Sequence, residues 1–288
     1  MATDQVSRGR RFNLGLALIL LVGLIAAVLQ GCNGLFYHPD ANRYRELSSL
    51  PAPTEDVSFP SHDGTLLHAW FLHAAGESRG TVIYFHGNAQ NLTSHVGFVD
   101  WLPARGFNVF IFDYRGYGAS EGSPSRAGLH EDSLAALDHV RSRKDVDPGR
   151  IVVFAQSLGG ACAVAALGEG GTKGVKGLAL DSTFATYIGM GNEILGGTFL
   201  TYPLAWLLLS NRHSAAHSIA KISPTPILFF HSPDDPVVPI SQGRKLFEAA
   251  SEPKEFVEVP IPGHPIATSS AEGRERLVRF FEACLAEK

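Results

Sequence analysis

The chain has 288 residues, of which 45% are hydrophobic and 18% are charged, a composition typical of a globular protein with one large core. Its formal net charge of −4 argues against a nucleic-acid partner, because phosphates are bound by clustered lysine and arginine. The sequence contains no C-x-x-C pair and no histidine-rich spacing typical of a metal site. We therefore expect one domain with no metal and no nucleic-acid partner.

The N-terminus differs from the rest of the chain. A basic stretch at 7–11 precedes an apolar run at 12–30, which is the layout of a secretory signal. The run ends in "VLQGC", which resembles the lipobox of bacterial lipoproteins. This resemblance implies a signal peptide over 1–31, a lipid on Cys32, and a membrane-anchored protein of the cell envelope that faces the periplasm or the exterior. The alternative is an uncleaved signal anchor, since about 18 apolar residues can just span a bilayer.

Residues 32–54 contain three prolines and are interpreted as a tether that leads into a domain over 55–288. Strands and helices then alternate along the chain. The strands read as continuous apolar runs, a pattern that predicts a mostly parallel sheet covered by helices on both faces. Asp63-Gly64 is a hairpin signal that adds antiparallel strands at one edge. Strands are expected at 55–60, 65–73, 80–87, 107–116, 150–157, 175–182, 225–232 and 254–260, and helices at 92–106, 125–143, 158–168, 239–250 and 269–288.

One segment, 183–222, has no strand pattern, and we expect it to form a small helical cap over the carboxyl edge of the sheet. The segment carries several large apolar side chains. We interpret them as the core of the cap or, alternatively, as a pocket for an acyl chain. They are Phe199, Leu200, Trp206, Leu207 and Leu208.

A hydroxyl group follows the strand "RIVVFAQ" directly. Ser157 ends this strand, and "LGG" after it allows a sharp reversal into a helix. Ligands of parallel sheets bind at the carboxyl ends of the strands, so Ser157 is well placed to react. Gly159 is expected because a side chain there would collide with the neighbouring strand. This arrangement is typical of a nucleophile elbow, in which the backbone N–H of Leu158 lies near the exposed hydroxyl.

A serine hydroxyl needs a base and an acid that orients the base. His264 follows the last predicted strand in the loop "IPGHPIA" and is the best-placed base. The acid is expected after the preceding strand, in "HSPDDPVVP", which offers Asp234 and Asp235. Asp181, at the end of "GLALDS", is a third candidate.

Five segments together resemble α/β-hydrolases of the branch that includes Bem46-like and serine aminopeptidase-type proteins. In chain order they are "YFHGNAQN", "FDYRGYGASEG", "AQSLGG", "HSPDDPVVP" and "PGH". The resemblance covers about residues 55–285 and implies the α/β-hydrolase fold. It assigns Asp235 as the acid and the backbone N–H of Asn88 as the second oxyanion donor. From its position in "YFHGNAQN", His86 is expected to brace the oxyanion loop rather than to react.

The sequence departs from the family pattern at two positions, where Ala155 and Ser232 replace glycines. The extra methyl group of Ala155 is expected to leave the elbow intact.

The implied activity is hydrolysis of a small-molecule carboxylic ester through an acyl-enzyme on Ser157, without a cofactor. The alternatives are a peptidase acting on short peptides and a catalytically silent binding protein of the envelope.

Overall fold

The computed structural model describes residues 36–286, so the predicted signal peptide and Cys32 lie outside the described residues. The centre of the described protein is an eight-stranded sheet in the order β10-β9-β8-β7-β4-β6-β3-β2. At one edge of the sheet, β3 pairs antiparallel with both β6 and β2. The other six strands pair in parallel with one another. The strands are β1 (His38–Pro39), β2 (Thr54–Pro60), β3 (Leu66–Leu72), β4 (Thr81–Phe85), β5 (Ala89–Gln90), β6 (Asn108–Phe112), β7 (Ile151–Gln156), β8 (Val175–Asp181), β9 (Ile227–His231) and β10 (Lys254–Glu258).

Helices cover both faces of the sheet, as the continuous apolar strands predicted. The α-helices are α1 (Leu92–His95), α2 (Arg126–Ser142), α3 (Leu158–Gly170), α4 (Tyr187–Ile194), α5 (Tyr202–Leu208), α6 (Ala215–Ser218), α7 (Ile240–Ala249) and α8 (Ala271–Leu285). Alternate residues of each central strand enter two separate buried clusters. Ile83 of β4, for example, belongs to the cluster that contains residues of α2, α3 and α7, whereas Tyr84 belongs to the cluster that contains residues of α8. The predicted mostly parallel, doubly wound fold with an antiparallel edge is confirmed.

The helix predicted over 92–106 is wrong in its length. Only α1 is α-helical there, and short 3₁₀ turns follow at Val96–Phe98 and Pro103–Arg105. Gly97 weakens a helix interior, and Pro103 has no N–H to continue a helical hydrogen-bond ladder. Gly106, in the left-handed region at φ 84°, ends the segment as predicted.

Part of the stretch interpreted as a tether belongs to the folded domain. Phe36 and Tyr37 are each 5% exposed and lie in the same buried cluster as α3. The two residues of β1 then pair in parallel with β5, which follows the predicted oxyanion loop. Two aromatic side chains that bury this well stabilise the chain against the domain, so Phe36 and Tyr37 pack as part of the fold.

The segment 183–222 is helical, as expected, and contains α4, α5, α6 and a 3₁₀ turn at Ile219–Ile222. Of the five large apolar side chains that the sequence analysis named in this segment, four are exposed rather than packed as a cap core. These are Phe199, Leu200, Trp206 and Leu207. Across residues 36–286, no helix is both long and apolar enough to cross a bilayer.

Candidate active site

Ser157 lies in the strained turn that the sequence pattern predicted. Its backbone has φ 54° and ψ −118°, a conformation that is costly for a residue with a side chain and that is found where function requires it. Its N–H donates to the carbonyl oxygen of Asp181 at 2.9 Å, which fixes the end of β7 to the end of β8. A Cβ atom on Gly159 would lie 2.2 Å from the carbonyl oxygen of Phe85, so only glycine permits this approach of α3 to β4. The turn therefore holds the hydroxyl at the carboxyl edge of the sheet.

The residue that departs from the usual elbow pattern fits without distortion. Ala155 is fully buried in β7, where it pairs with Phe85 of β4 and Leu180 of β8. Its methyl group belongs to the buried cluster that also contains Ala161 and Val164 of α3. The methyl group thus contributes to the packing of the elbow helix.

The predicted base and one of the three candidate acids are in direct contact. His264 Nδ1 lies 2.8 Å from Asp235 Oδ2. The other carboxylate oxygen of Asp235 accepts hydrogen bonds from the N–H groups of Val237 and Val238 at 2.8 and 2.9 Å. Burial raises the pKa of Asp235, but the hydrogen bond from His264 and these amides outweigh it and hold that pKa below its ordinary value. Asp235 is therefore a carboxylate at neutral pH and can orient the imidazole.

The other two candidate acids do not contact the imidazole in this way. Asp234 is exposed, and its N–H donates to the Ser232 hydroxyl at 3.1 Å. Asp181 is fully buried, and its carboxylate accepts hydrogen bonds from the N–H groups of Ile266 and Ala267 at 2.9–3.1 Å. Asp181 thus fixes the backbone that follows His264.

The two predicted oxyanion donors lie at the same cavity as Ser157. Both Asn88 and Leu158 line the cavity into which Ser157 opens. Neither backbone N–H donates a hydrogen bond to another residue within 36–286. The N–H of Leu158 is the first of α3, where the helix leaves its amides without intrahelical partners. Both groups are consequently available to an oxygen atom of a ligand.

Residues near the N-terminus of the described chain brace the Asn88 loop, which the sequence did not predict. The side-chain carbonyl of Asn88 accepts hydrogen bonds from the His38 N–H at 3.1 Å and from the Tyr117 hydroxyl at 2.9 Å. Phe36 and His38 also line the cavity. A two-residue strand that contains a proline has no periodic pattern, so no sequence signal marked this contact.

Two histidines support the Asn88 loop. His86 is fully buried, with Nδ1 2.7 Å from the Gly87 carbonyl oxygen and Nε2 3.2 Å from an Asp113 carboxylate oxygen. His95 Nε2 lies 2.8 Å from the Ala89 carbonyl oxygen. Burial and the neighbouring His86 lower the pKa of His95 to about 4, so His95 is neutral at pH 7 and donates through Nε2. The expected bracing role of His86 agrees with these contacts.

The cavity above Ser157 has a volume of about 970 Å³, large enough for a small organic ligand. Most of its wall is apolar, and Ser157 and His264 both face it. The apolar side chains that line the cavity lie near the two oxyanion donors, in the cap and in the loop after β9. They include Phe36, Phe98, Leu158, Phe184, Met190, Ile194, Val237 and Val238.

Other reactive groups of the described chain lie away from this cavity. Cys162 is buried within α3, and burial raises the pKa of its thiol to about 12, so it is not a thiolate at neutral pH. His130, Glu169 and His213 bring potential metal-ligand atoms together. The two imidazoles are stacked, with centroids 4.1 Å apart and planes inclined by 21°, so their in-plane lone pairs do not converge on one ion.

Comparison with known proteins agrees with this geometry. The family model described as "Serine aminopeptidase, S33" matches residues 76–198. The "Alpha/beta hydrolase domain-containing protein WAV2" of Arabidopsis thaliana is 37% identical over 223 residues, which cover 73% of this chain and 72% of that protein. "Protein bem46" of Schizosaccharomyces pombe is 31% identical and covers 79% of this chain and 78% of its own length. The chain belongs to the α/β-hydrolase family.

The fold of this hydrolase is also that of solved structures. The Pyrococcus furiosus esterase Pf2001 superposes with a TM-score of 0.70 at 19% identity, covering 86% of this chain and 97% of the esterase. At this level of identity the similarity establishes the fold alone. The predicted resemblance to Bem46-like and serine aminopeptidase-type α/β-hydrolases is thereby confirmed.

Proposed function

We propose that this hydrolase cleaves carboxylic esters of small molecules through an acyl-enzyme on Ser157. The observation that carries the proposal is the 2.8 Å contact between His264 and Asp235 beside a cavity that also exposes Ser157. With Nδ1 bound to the carboxylate, His264 has Nε2 available as a general base. The mostly apolar wall of the cavity suits an acyl group.

In the proposed reaction, His264 accepts the Ser157 proton as the hydroxyl oxygen attacks the ester carbonyl. The N–H groups of Asn88 and Leu158 stabilise the oxyanion, a contribution of about 2.7–4 kcal/mol for each donor. His264 then returns the proton to the leaving alcohol, and the acyl group remains on Ser157. Water, deprotonated by His264, attacks the acyl-enzyme and releases the acid, which regenerates the serine without a cofactor.

The direct test is covalent labelling of the full-length protein by a fluorophosphonate probe. Wild type should be labelled, whereas Ser157→Ala and His264→Ala should not, and Ser157→Ala should lose ester turnover by about 10⁶-fold. Ser157→Ala changes one small side chain, so its circular dichroism spectrum should match that of wild type. Absence of labelling in folded wild type would instead favour a binding protein without catalysis.

A peptidase is a second candidate because a carboxylate also faces the cavity. Among the described lining residues, Glu193 is the one with an acidic side chain, and it could pair with the ammonium group of a short peptide. Wild type and Glu193→Gln should be compared on matched aminoacyl ester and amide substrates, with and without a free amino group. A selective loss on the free-amino substrates would favour the peptidase, and equal rates would favour the esterase.

We further propose that the protein is anchored to the membrane of the cell envelope through a lipid on Cys32. The support is the sequence "VLQGC" after the apolar run at 12–30. Metabolic labelling with a radioactive fatty acid should mark wild type and should not mark Cys32→Ala, which should remain unprocessed. Normal processing of this variant would contradict lipidation, and a membrane-bound, unlabelled wild type would identify a retained signal anchor.

A further inference from the structure

One part of the cap surface, formed by residues 194–211, is apolar and contains no charged residue. The chain has no charged residue between Glu193 and Arg212. Within this segment Phe199 is 85% exposed and Leu207 is 74% exposed. We call this surface the cap face. Its exposed side chains are Ile194, Phe199, Leu200, Tyr202, Leu204, Trp206 and Leu207.

A surface of this kind is costly in water and typical of an interaction site. Of the seven residues of α5, only Ala205 is buried, so the helix lies on the protein with most of its circumference exposed. Tyr202 and Trp206 lie on the same helix as Leu204 and Leu207. Aromatic side chains with one polar atom favour the boundary between lipid headgroups and acyl chains.

The described chain begins in contact with the cap. The Phe36 ring packs edge-on against Tyr187 of α4, with centroids 5.6 Å apart. Cys32 is four residues before Phe36, and an extended chain spans at most about 3.6 Å for each residue. A lipid on Cys32 would therefore keep Phe36 within about 14 Å of the anchoring point. An uncleaved anchor ending at Gln30 would keep it within about 22 Å.

The mouth of the cavity is on the same side of the protein. Phe36 and Ile194 both line the cavity, and Ile194 also belongs to the cap face. Val237, which lines the cavity from the loop after β9, is 50% exposed. The apolar wall of the cavity thus continues onto the apolar surface beside the chain entry.

We propose that the cap face docks on the lipid bilayer, and that Ser157 acts on an acyl ester of an amphiphile held in that bilayer. The choice of substrate class rests on the proposed esterase activity, whereas the docking does not. The docking rests on the proposed membrane anchor, whose short connection to Phe36 in either form keeps the cap near the membrane. Because the cap face has no charge, the docking depends on burial of apolar area and is insensitive to ionic strength.

The position of Trp206 provides a test of docking that needs no activity. The full-length protein is reconstituted in phosphatidylcholine vesicles whose acyl chains carry bromine, a contact quencher of tryptophan fluorescence. We expect quenching in wild type and in Trp101→Phe, the matched control, and its loss in Trp206→Phe. The quenching should persist in 1 M NaCl. Equal quenching in wild type and Trp206→Phe, or cross-linking of two cap faces in the membrane, would overturn the proposal.

The substrate class is tested by substitutions that introduce negative charge on the cap face. Phe199→Glu combined with Leu207→Glu changes two residues that do not line the cavity, and Leu66→Glu places the same charge on an exposed apolar position outside the cap. The double variant should hydrolyse a long-chain ester in vesicles at least about tenfold more slowly than wild type. Its rate on a water-soluble short-chain ester should be unchanged, and Leu66→Glu should match wild type on both.

The two proposals fail in different ways. If the double variant and wild type hydrolyse the vesicle ester equally, the cap face does not bring Ser157 to a substrate in the bilayer, although the esterase stands. If wild type hydrolyses neither ester and resists the fluorophosphonate probe, the esterase is wrong, and the quenching of Trp206 still decides whether the cap face docks.

Discussion

The ends of β8 and β9 each place a buried aspartate beside the loop that carries His264, and the two carboxylates have different partners. Asp181, the last residue of β8, accepts hydrogen bonds from the N–H groups of Ile266 and Ala267 and from the Gln156 side chain. Asp235, after β9, shares its carboxylate between the imidazole and two backbone amides.

The two aspartates also differ in the direction of their pKa shifts. Burial raises the pKa of Asp181 above its ordinary value, and the amides around it offset this effect only in part. For Asp235, burial is outweighed by the hydrogen bond from His264, and the pKa is lowered. A carboxylate bonded to fixed amides holds a loop, whereas one bonded to an imidazole stabilises the charge that the imidazole gains in the reaction. The hydrogen-bond partner of each carboxylate, more than its burial, therefore distinguishes the residue that holds the loop from the residue that assists His264.

The largest effect expected from this comparison is on catalysis. Asp235→Asn should lower kcat by about 10⁴-fold, because an amide in place of the carboxylate favours the wrong tautomer of His264 and no longer stabilises its cation. Asp181→Asn is the matched control at the neighbouring strand end. It should change kcat by less than about tenfold for folded protein, since it acts only through the backbone of the loop. Rates are measured with a soluble ester, and each rate is divided by the fraction of folded protein obtained from circular dichroism. Equal losses of kcat in the two variants would contradict the different roles of Asp235 and Asp181.

A smaller, opposite pair of effects is expected on the pH dependence of stability. A lowered folded-state pKa means that Asp235 stabilises the fold above the ordinary value of about 4 and that this contribution is lost as pH falls through the folded pKa. A raised folded-state pKa means that Asp181 favours the fold most below about pH 4 and less as pH rises through its folded pKa.

The free energy of unfolding of wild type, Asp235→Asn and Asp181→Asn is therefore measured by urea titration between pH 3 and 6. The stability of wild type relative to Asp235→Asn should increase with pH, and its stability relative to Asp181→Asn should decrease. If the two stability differences changed with pH in the same direction, the hydrogen-bond partner of each aspartate would not determine the direction of its pKa shift.

Much of this region could be predicted from the sequence because each element carries a local signal. The apolar runs gave the positions of β7, β8 and β9, and the glycines after Ser157 indicated the turn. The choice among the three acids was different. From the residues alone Asp181, Asp234 and Asp235 remained open, since strand ends place all three at one edge of the sheet, and the family resemblance selected Asp235.

The cap and the N-terminal segment could not be predicted in the same way. An apolar segment has the same sequence pattern whether it forms a core or faces a partner. The exposure of Trp206 and Leu207 was therefore seen only in the structure. Phe36 and His38 lie in a short, irregular segment whose place depends on contacts with Tyr187 and Asn88, far away in the chain. Long-range contacts of this kind leave no period in the sequence.

The smallest effect expected concerns Ser232, at the end of β9, where the family pattern has glycine. Ser232 is fully buried, and its hydroxyl accepts a hydrogen bond from the Asp234 N–H at 3.1 Å. Ser232→Gly should lower the free energy of unfolding by about 1 kcal/mol, through the lost hydrogen bond and the greater entropy of the unfolded chain. Because the amides of Val237 and Val238 still hold Asp235, kcat should stay within about twofold of wild type. Ser232→Ala, which keeps the Cβ atom, separates the two contributions in urea titrations, and a loss of kcat in either variant would show that the hydroxyl helps to position Asp235.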